Sequence, residues 1–410
     1  MTDPITRRYF LPALAVKVLG AIALGFIYQF YYNGGDTFNF HTHGSRHIWE
    51  AFMDSPSKAF TLIFTDNLDV NDVYKYSSRI FFLKDTSSYF VIRVAGFFDL
   101  ITFSSYSATA ISFAVFGFIG MWLFFLTFYK LYPNSHVGLA IASFFIPSVF
   151  FWGSGLLKDT IVTGCLGIAT YYFHTLLFEK KISAKVIIIL FLALYTIFRV
   201  KIFVLQAYLP SIIIWLIAYH FNSIRSRILR MMLVPLAIVI VLISSYYSVV
   251  AIGENDTKYA ISNIARTAQI TAYDIRYWTG RDAGSGYSLG ELDGTWQNMV
   301  ALAPQAINVS LFRPYLWEVT NPFMFLSALE SLTLLLLTLY LFLKRTLNFV
   351  RSLGKPDVLF CLIFSLTFAF AVGIATFNFG TLVRYKIPLL PFFSIALVLI
   401  AHQAKRPKNV

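Results

Sequence analysis

Only 13% of this 410-residue chain is charged, so its ionisable clusters stand out. The first is NGGDTFNFHTH, residues 33–43, in which Asp36 is followed by His41, His43 and then His47. A lone carboxylate there could take a proton from a hydroxyl as a general base. It could equally bind a divalent cation, Mg or Mn, that neutralises a departing phosphate, with Asp36, His41 and His43 as candidate ligands. The histidines follow no fixed-spacing metal motif, and HTH alternates like a strand. The second cluster is PSVFFWGSGLLKDTIV, residues 147–162, with Lys158 and Asp159 in a polar hairpin. Two basic pairs follow, Arg199 with Lys201, and Arg384 with Lys386 in FGTLVRYKIPLLP. Such cations clamp phosphate oxygens. The last cluster, LFRPYLWEVTNPFMFLSALES (311–331), holds Arg313, Glu318 and Glu330. Each residue also has a structural reading: helix cap, interfacial anchor, snorkelling cation or buried ion pair.

What must position these groups is a set of membrane spans. The composition is 58% hydrophobic and 18% aromatic, with 43 Phe. A soluble protein would carry roughly twice the charged fraction. Apolar runs predict about ten spans, at 10–30, 108–129, 136–153, 161–178, 186–198, 202–221, 231–251, 323–343, 358–376 and 389–402. The fold class is therefore all-α, a polytopic integral membrane helix bundle forming one transmembrane domain over 1–410. The fifth run is too short to cross at ~1.5 Å per residue and must extend past Arg199 or be broken. The N-terminal MTDPITRRYF leads into an apolar run with no small-residue cleavage site, which reads as a retained span. Cys165 and Cys361 lie inside apolar runs and imply no disulfide framework.

Charge orients the bundle. With the N-terminus in the cytoplasm, the inner connections hold nearly half of the 33 Lys and Arg but only Asp3, Glu179 and Asp357 of the 20 acidic residues. That is the positive-inside signature, with both termini cytoplasmic. Anionic inner-leaflet lipid accounts for the net charge of +13 without nucleic acid. Two long segments, 31–107 and 252–322, then lie outside as external loops. HGSRHIWEAFMD and residues 263–278 have helical spacing with one apolar face, as interfacial helices do. Residues 280–295 are Gly/Ser/Asp-rich and read as loop. Any chemistry faces the periplasm or exterior, where Arg199, Lys201, Arg384 and Lys386 run against the charge bias. Glu330 falls inside the eighth span and needs a cavity, a proton or a cation, with Arg199, Lys201 and Arg384 as candidates.

The arrangement resembles the membrane-embedded glycosyltransferases of the GT-C superfamily, which use polyprenyl-phosphate-linked sugars. In that family the first span leads into a large external loop that begins with an acidic residue, and a second short loop often carries another. Asp36 in GGDTF matches the first position and Asp159 in GLLKDT the second. RYKIPLLPFF is similar to the late Arg-Tyr with spaced prolines of many such enzymes. The chain departs from the family in having a lone Asp in the first loop and no soluble domain after the spans. Metal dependence and acceptor class therefore stay open.

The resemblance implies sugar transfer at the outer face of a bacterial inner membrane. The donor would be a polyprenyl-phosphate-linked sugar and the acceptor a glycan or lipid-linked glycan. Asp36 would be catalytic with Asp159 in support. Lys158, Arg199, Lys201, Arg313, Glu330, Arg384 and Lys386 would bind substrate. The chain also resembles surface-polysaccharide repeat-unit polymerases, for which Arg266, Arg276, Arg281 and Arg313 of the late loop would serve. A flippase of lipid-linked saccharide would need polar groups through the full depth and repeat symmetry, and the polar groups stop partway. Nucleotide-driven and Gly-x-Ser-x-Gly hydrolase functions lack their motifs.

Overall fold

Proline, glycine and paired polar residues cut the apolar sequence into helices. The computed structural model describes residues 3–65, 71–223, 263–278, 285–344 and 346–405. Among these residues the chain is all-helical, with one isolated bridge between Gly286 and Asn378. Six helices are long and apolar enough to cross a membrane, and a bent pair makes a seventh if it is one span. These are the helices of an integral membrane protein, fewer among the described residues than the ten expected. The expected span at 231–251 lies outside the described residues, as do Arg281 and the side chain of Arg276.

The chain divides into two compact units: unit 1 is Met1–Leu131 with Ser143–Lys201, and unit 2 is Tyr132–Ala142 with Ile202–Val410. Unit 1 starts with α1 (Pro4–Phe30), whose N-cap Asp3 forms a capping box with Thr6. The expected first loop then folds into α2 (Asp36–Phe40), a π-helical turn (His41–Ser45), α3 (Arg46–Asp54), α4 (Pro56–Phe64), α5 (Asn71–Ser77) and α6 (Thr86–Thr102). The spans α7 (Tyr106–Leu131) and α10 (Lys158–Leu177) follow; in sequence between them come α8 (His136–Phe144), most of which belongs to unit 2, and α9 (Pro147–Trp152) of unit 1. Residues 136–153 thus form two helices and not one continuous one. Pro147 has no N–H to continue a ladder and holds Ile146 extended (φ −76°, ψ 121°). The fifth run becomes α11 (Ala184–Val200), which does extend past Arg199 and stops at Lys201 (φ −147°, ψ 81°).

Small residues let the unit 1 helices approach closely. A Cβ on Gly120 of α7 would lie 2.0 Å from the Gly164 carbonyl oxygen of α10, and one on Gly20 of α1 would lie 2.2 Å from that of Phe150 in α9. Beside that contact, the fully buried Lys17 ammonium donates to the carbonyls of Gly153 (2.7 Å) and Val149 (3.3 Å), so a cation inside a span is satisfied by the end of a short helix. The two ends of the unit are distinct. At one, Tyr129 donates to Asp3 (2.7 Å), and Lys130 and Lys181 pair with Glu179 (2.8 and 2.9 Å). Burial pushes the Glu179 carboxyl up, but the two ammonium groups outweigh it and bring it down to about 2. The other end carries the start of α2, of α6 and of α10 and the end of α11. This is the alternation that the charge pattern implies for these segments.

Unit 2 is built from α12 (Ile202–Ser223), α13 (Ile264–Trp278), α14 (Trp296–Ala301), α15 (Ala303–Phe312), α16 (Pro322–Lys344), α17 (Thr346–Leu353), α18 (Pro356–Thr376), α19 (Phe379–Tyr385) and α20 (Leu389–Lys405). The last two are the bent pair, at 67°. Trp215 stacks on Phe360 at 4.4 Å, and Phe364 meets Phe392 at 4.5 Å, tying α12, α18 and α20 together. Asp357 accepts from both the Trp215 indole (2.8 Å) and the Tyr132 hydroxyl (2.6 Å).

Candidate functional site

The opening stretch is a turn that only glycine makes easily. Asn33, Gly34 and Gly35 have φ of 54°, 126° and 120° in succession. A Cβ on Gly35 would also press the Tyr28 ring at 2.9 Å. The chain therefore leaves α1, reverses, and starts α2 with Asp36 in its first turn. The helix is held from below: Thr37 is buried and shares a hydrogen bond with the Tyr106 hydroxyl (3.0 Å), while Phe38 stacks on the Tyr106 ring at 4.6 Å. Asp36 itself stays half-buried and lies within Coulombic reach of Lys158.

Lys158 opens α10 with its side chain 23% exposed. Its ammonium donates to the Ser87 hydroxyl (2.7 Å) and to Asp85 (3.3 Å). Asp85 caps α6 through the Ser87 backbone N–H (3.2 Å) and also accepts from the Ser88 hydroxyl. Burial would raise the Asp85 carboxyl, but Lys158 and the two serine hydroxyls outweigh it and hold it below the usual range. It is ionised at neutral pH. The sequence signal for Asp85 was DTSS ahead of an apolar helix, a capping pattern inside the stretch read as an external loop with interfacial helices.

Asp159 is placed differently from Asp36. Its carboxylate is 1% exposed and receives the Lys201 ammonium at 2.5 Å, itself 7% exposed. The pair joins the start of α10 to the junction of α11 and α12. Both groups are engaged with one another inside the fold. Arg199 is half-buried with its guanidinium 5.8 Å from the centre of the Phe90 ring of α6. One end of unit 1 therefore gathers Asp36, Asp85, Lys158, Asp159, Arg199 and Lys201.

The three candidate metal ligands do not converge. His41 is buried against Asp99 of α6 (3.6 Å), and His43 is exposed. No group of three or more His, Cys, Asp or Glu able to hold a metal forms among the described residues. Asp99, unremarked in GFFDLITF, accepts from the Thr109 hydroxyl (2.5 Å) and is 0% exposed. Burial lifts its carboxyl to about 6, and burial with the nearby Arg46 charge lowers His41 to about 4.

In unit 2 the remaining candidates serve one another. Glu318 takes a bidentate bond from Arg313, which also faces the Phe379 ring at 5.3 Å. Burial raises the Glu318 carboxyl, but Arg313 and the Tyr315 N–H outweigh it and hold it low. Lys386 is fully buried and donates to Ser331 (3.1 Å), whose hydroxyl donates on to the Arg313 carbonyl (3.0 Å). Lys386 also lies within Coulombic reach of Glu330. Its side chain is inside the fold rather than at the surface. Arg384 lies in the last turn of α19.

No protein-family model matches this sequence, and no curated protein or solved structure matches it.

Proposed function

We propose that the protein is a membrane-embedded glycosyltransferase that moves a sugar from a polyprenyl-phosphate carrier to a glycan or lipid-linked acceptor. One observation carries this: a half-buried carboxylate, fixed by a left-handed Gly-Gly turn, stands within Coulombic reach of a partly exposed lysine at one end of an apolar helical unit. Asp36 takes the proton of the acceptor hydroxyl as its oxygen attacks the anomeric carbon. The bond from that carbon to the phosphate oxygen breaks, and the polyprenyl phosphate leaves with its charge met by Lys158 and Arg199. The proton passes from Asp36 to solvent. The Asp159–Lys201 pair holds α10 and α11 so that these groups face one another.

In the full account the chain has about ten spans in a bacterial inner membrane, both termini are cytoplasmic, and the Asp36 end faces the periplasm. The charge partition of the connections supports this. A repeat-unit polymerase would depend on the late-loop arginines, but Arg313 is already held by Glu318. Cross-linking of a photoactivatable polyprenyl phosphate to the purified chain tests the donor site. Lys158→Gln should weaken capture about tenfold with little loss of stability, since its partner Asp85 is half exposed. Undiminished capture by Lys158→Gln would remove the donor assignment.

A further inference from the structure

A second feature of unit 1 has no part in that chemistry. The π-helical turn and α3 place His43, Arg46, His47 and Glu50 at helical spacings of three and four, on one face. Arg79 reaches the same place from the turn after α5, and its segment is fixed there because the Phe81 N–H donates to the His43 carbonyl (2.9 Å). With Thr42 these side chains line an open cleft of about 480 Å³.

The charges in the cleft do not balance. Among the described residues Glu50 is its one carboxylate, and it receives Arg79 (2.9 Å), the His47 imidazole (3.1 Å) and Arg46 (3.7 Å) at once. Arg46 and Arg79 remain 57% and 51% exposed while they line the cleft, and His43 is exposed beside them. Two permanent positive charges and two imidazoles thus surround one negative charge. The missing ligand is an anion with several acceptor oxygens. Phosphate fits two guanidinium forks better than a second carboxylate does, because it offers more oxygens and up to two charges. The cleft volume lies in the range of small-ligand sites and leaves room for the group that the phosphate carries.

We infer that the cleft lined by His43, Arg46, His47, Glu50 and Arg79 is a phosphate-binding site, separate from the Lys158 cluster and independent of the proposed transfer reaction. Glu50 holds the two arginines in place when no ligand is bound, and it yields them to the phosphate oxygens.

The test is calorimetric titration of inorganic pyrophosphate into the full-length protein in nanodiscs of phosphatidylcholine. The double variant Arg46→Gln/Arg79→Gln should bind at least about tenfold more weakly, the loss of one or more charge-assisted hydrogen bonds. Glu50→Gln should bind severalfold more tightly, because a competing anion is gone. Lys158→Gln should retain the arginine-dependent binding, which separates this site from the donor site. Repeating the titration in nanodiscs containing phosphatidylglycerol identifies the natural source. Weakened pyrophosphate binding there means that a lipid headgroup occupies the cleft, and equal binding means a soluble phosphate. Absence of binding in phosphatidylcholine overturns the inference. So does unchanged binding by the double variant or weaker binding by Glu50→Gln. If the double variant does not fold, the direction of the Glu50→Gln effect decides alone.

Discussion

Lys201→Met should destabilise the protein severely, and a second change should rescue it. The Lys201 ammonium and the Asp159 carboxylate meet at 2.5 Å with exposures of 7% and 1%, so neither has water to fall back on. Removing one partner breaks a buried ion pair, at a cost of about 3–5 kcal/mol. For a unit of this size each kcal/mol lowers the melting temperature by roughly 2–4 °C, so the loss should be roughly 6–20 °C. Replacing both groups by apolar ones removes the charge burial altogether. Asp159→Leu/Lys201→Met should therefore be more stable than either single variant, near wild type or above it. Thermal unfolding of the purified protein in detergent, followed by intrinsic tryptophan fluorescence, reads all four proteins. A single-variant loss under 2 °C, or a double variant that falls by the sum of the two singles, would refute a pair that acts as a buried unit.

Close helix packing gives a second expectation. Gly120→Ala drives a Cβ to 2.0 Å from the Gly164 oxygen and Gly20→Ala to 2.2 Å from that of Phe150, so each should cost about 1–3 kcal/mol or more, whereas Gly354→Ala meets nothing nearer than 3.7 Å and should be silent in the same melts. The His41–Asp99 pair predicts a pH effect. Burial raises Asp99 from its ordinary value near ~3.9 to about 6, so on its own it loses stability as pH rises through that window. His41 is lowered from about 6.5 to about 4, so on its own it loses stability as pH falls from 6.5 to 4. The slopes oppose and nearly cancel in the wild type. Asp99→Asn leaves only the second, and chemical denaturation at pH 6.5 and pH 4 should show about 3 kcal/mol more pH dependence than in the wild type. Equal pH dependence in the two proteins would count against that account of the pair.

Much of this arrangement was legible in the sequence because spans alternate direction. Once 10–30, 161–178 and the run ending near Arg199 are read as helices crossing an apolar layer, Asp36, Lys158, Asp159, Arg199 and Lys201 fall at one end without further information. The Gly34–Gly35 turn was legible too, since two glycines after a long apolar run mark a reversal. Side-chain partners were not. Whether Asp159 or Lys158 points inward depends on where α10 begins relative to α11, and a one-residue difference in register separates a buried pair from an open cation. Asp99 and His41 are 58 positions apart in a stretch read as an external loop with interfacial helices, and α6 folds against the π-turn and buries both. Nothing in the sequence shows that Lys17, inside the first apolar run, meets the carbonyls of Val149 and Gly153 where the short helix α9 ends. Lys386 follows Arg384 by two residues and shares its chemistry, and only the bend between α19 and α20 turns it into the core.

The central claim is tested most directly by the lipid-linked glycan profile of cells carrying Asp36→Asn, against wild type at matched protein level in the membrane. A catalytic Asp36 predicts accumulation of the unmodified lipid-linked acceptor, with the purified variant melting as the wild type does. An unchanged profile from a folded, membrane-inserted Asp36→Asn protein would contradict it and leave Asp36 as the polar start of α2.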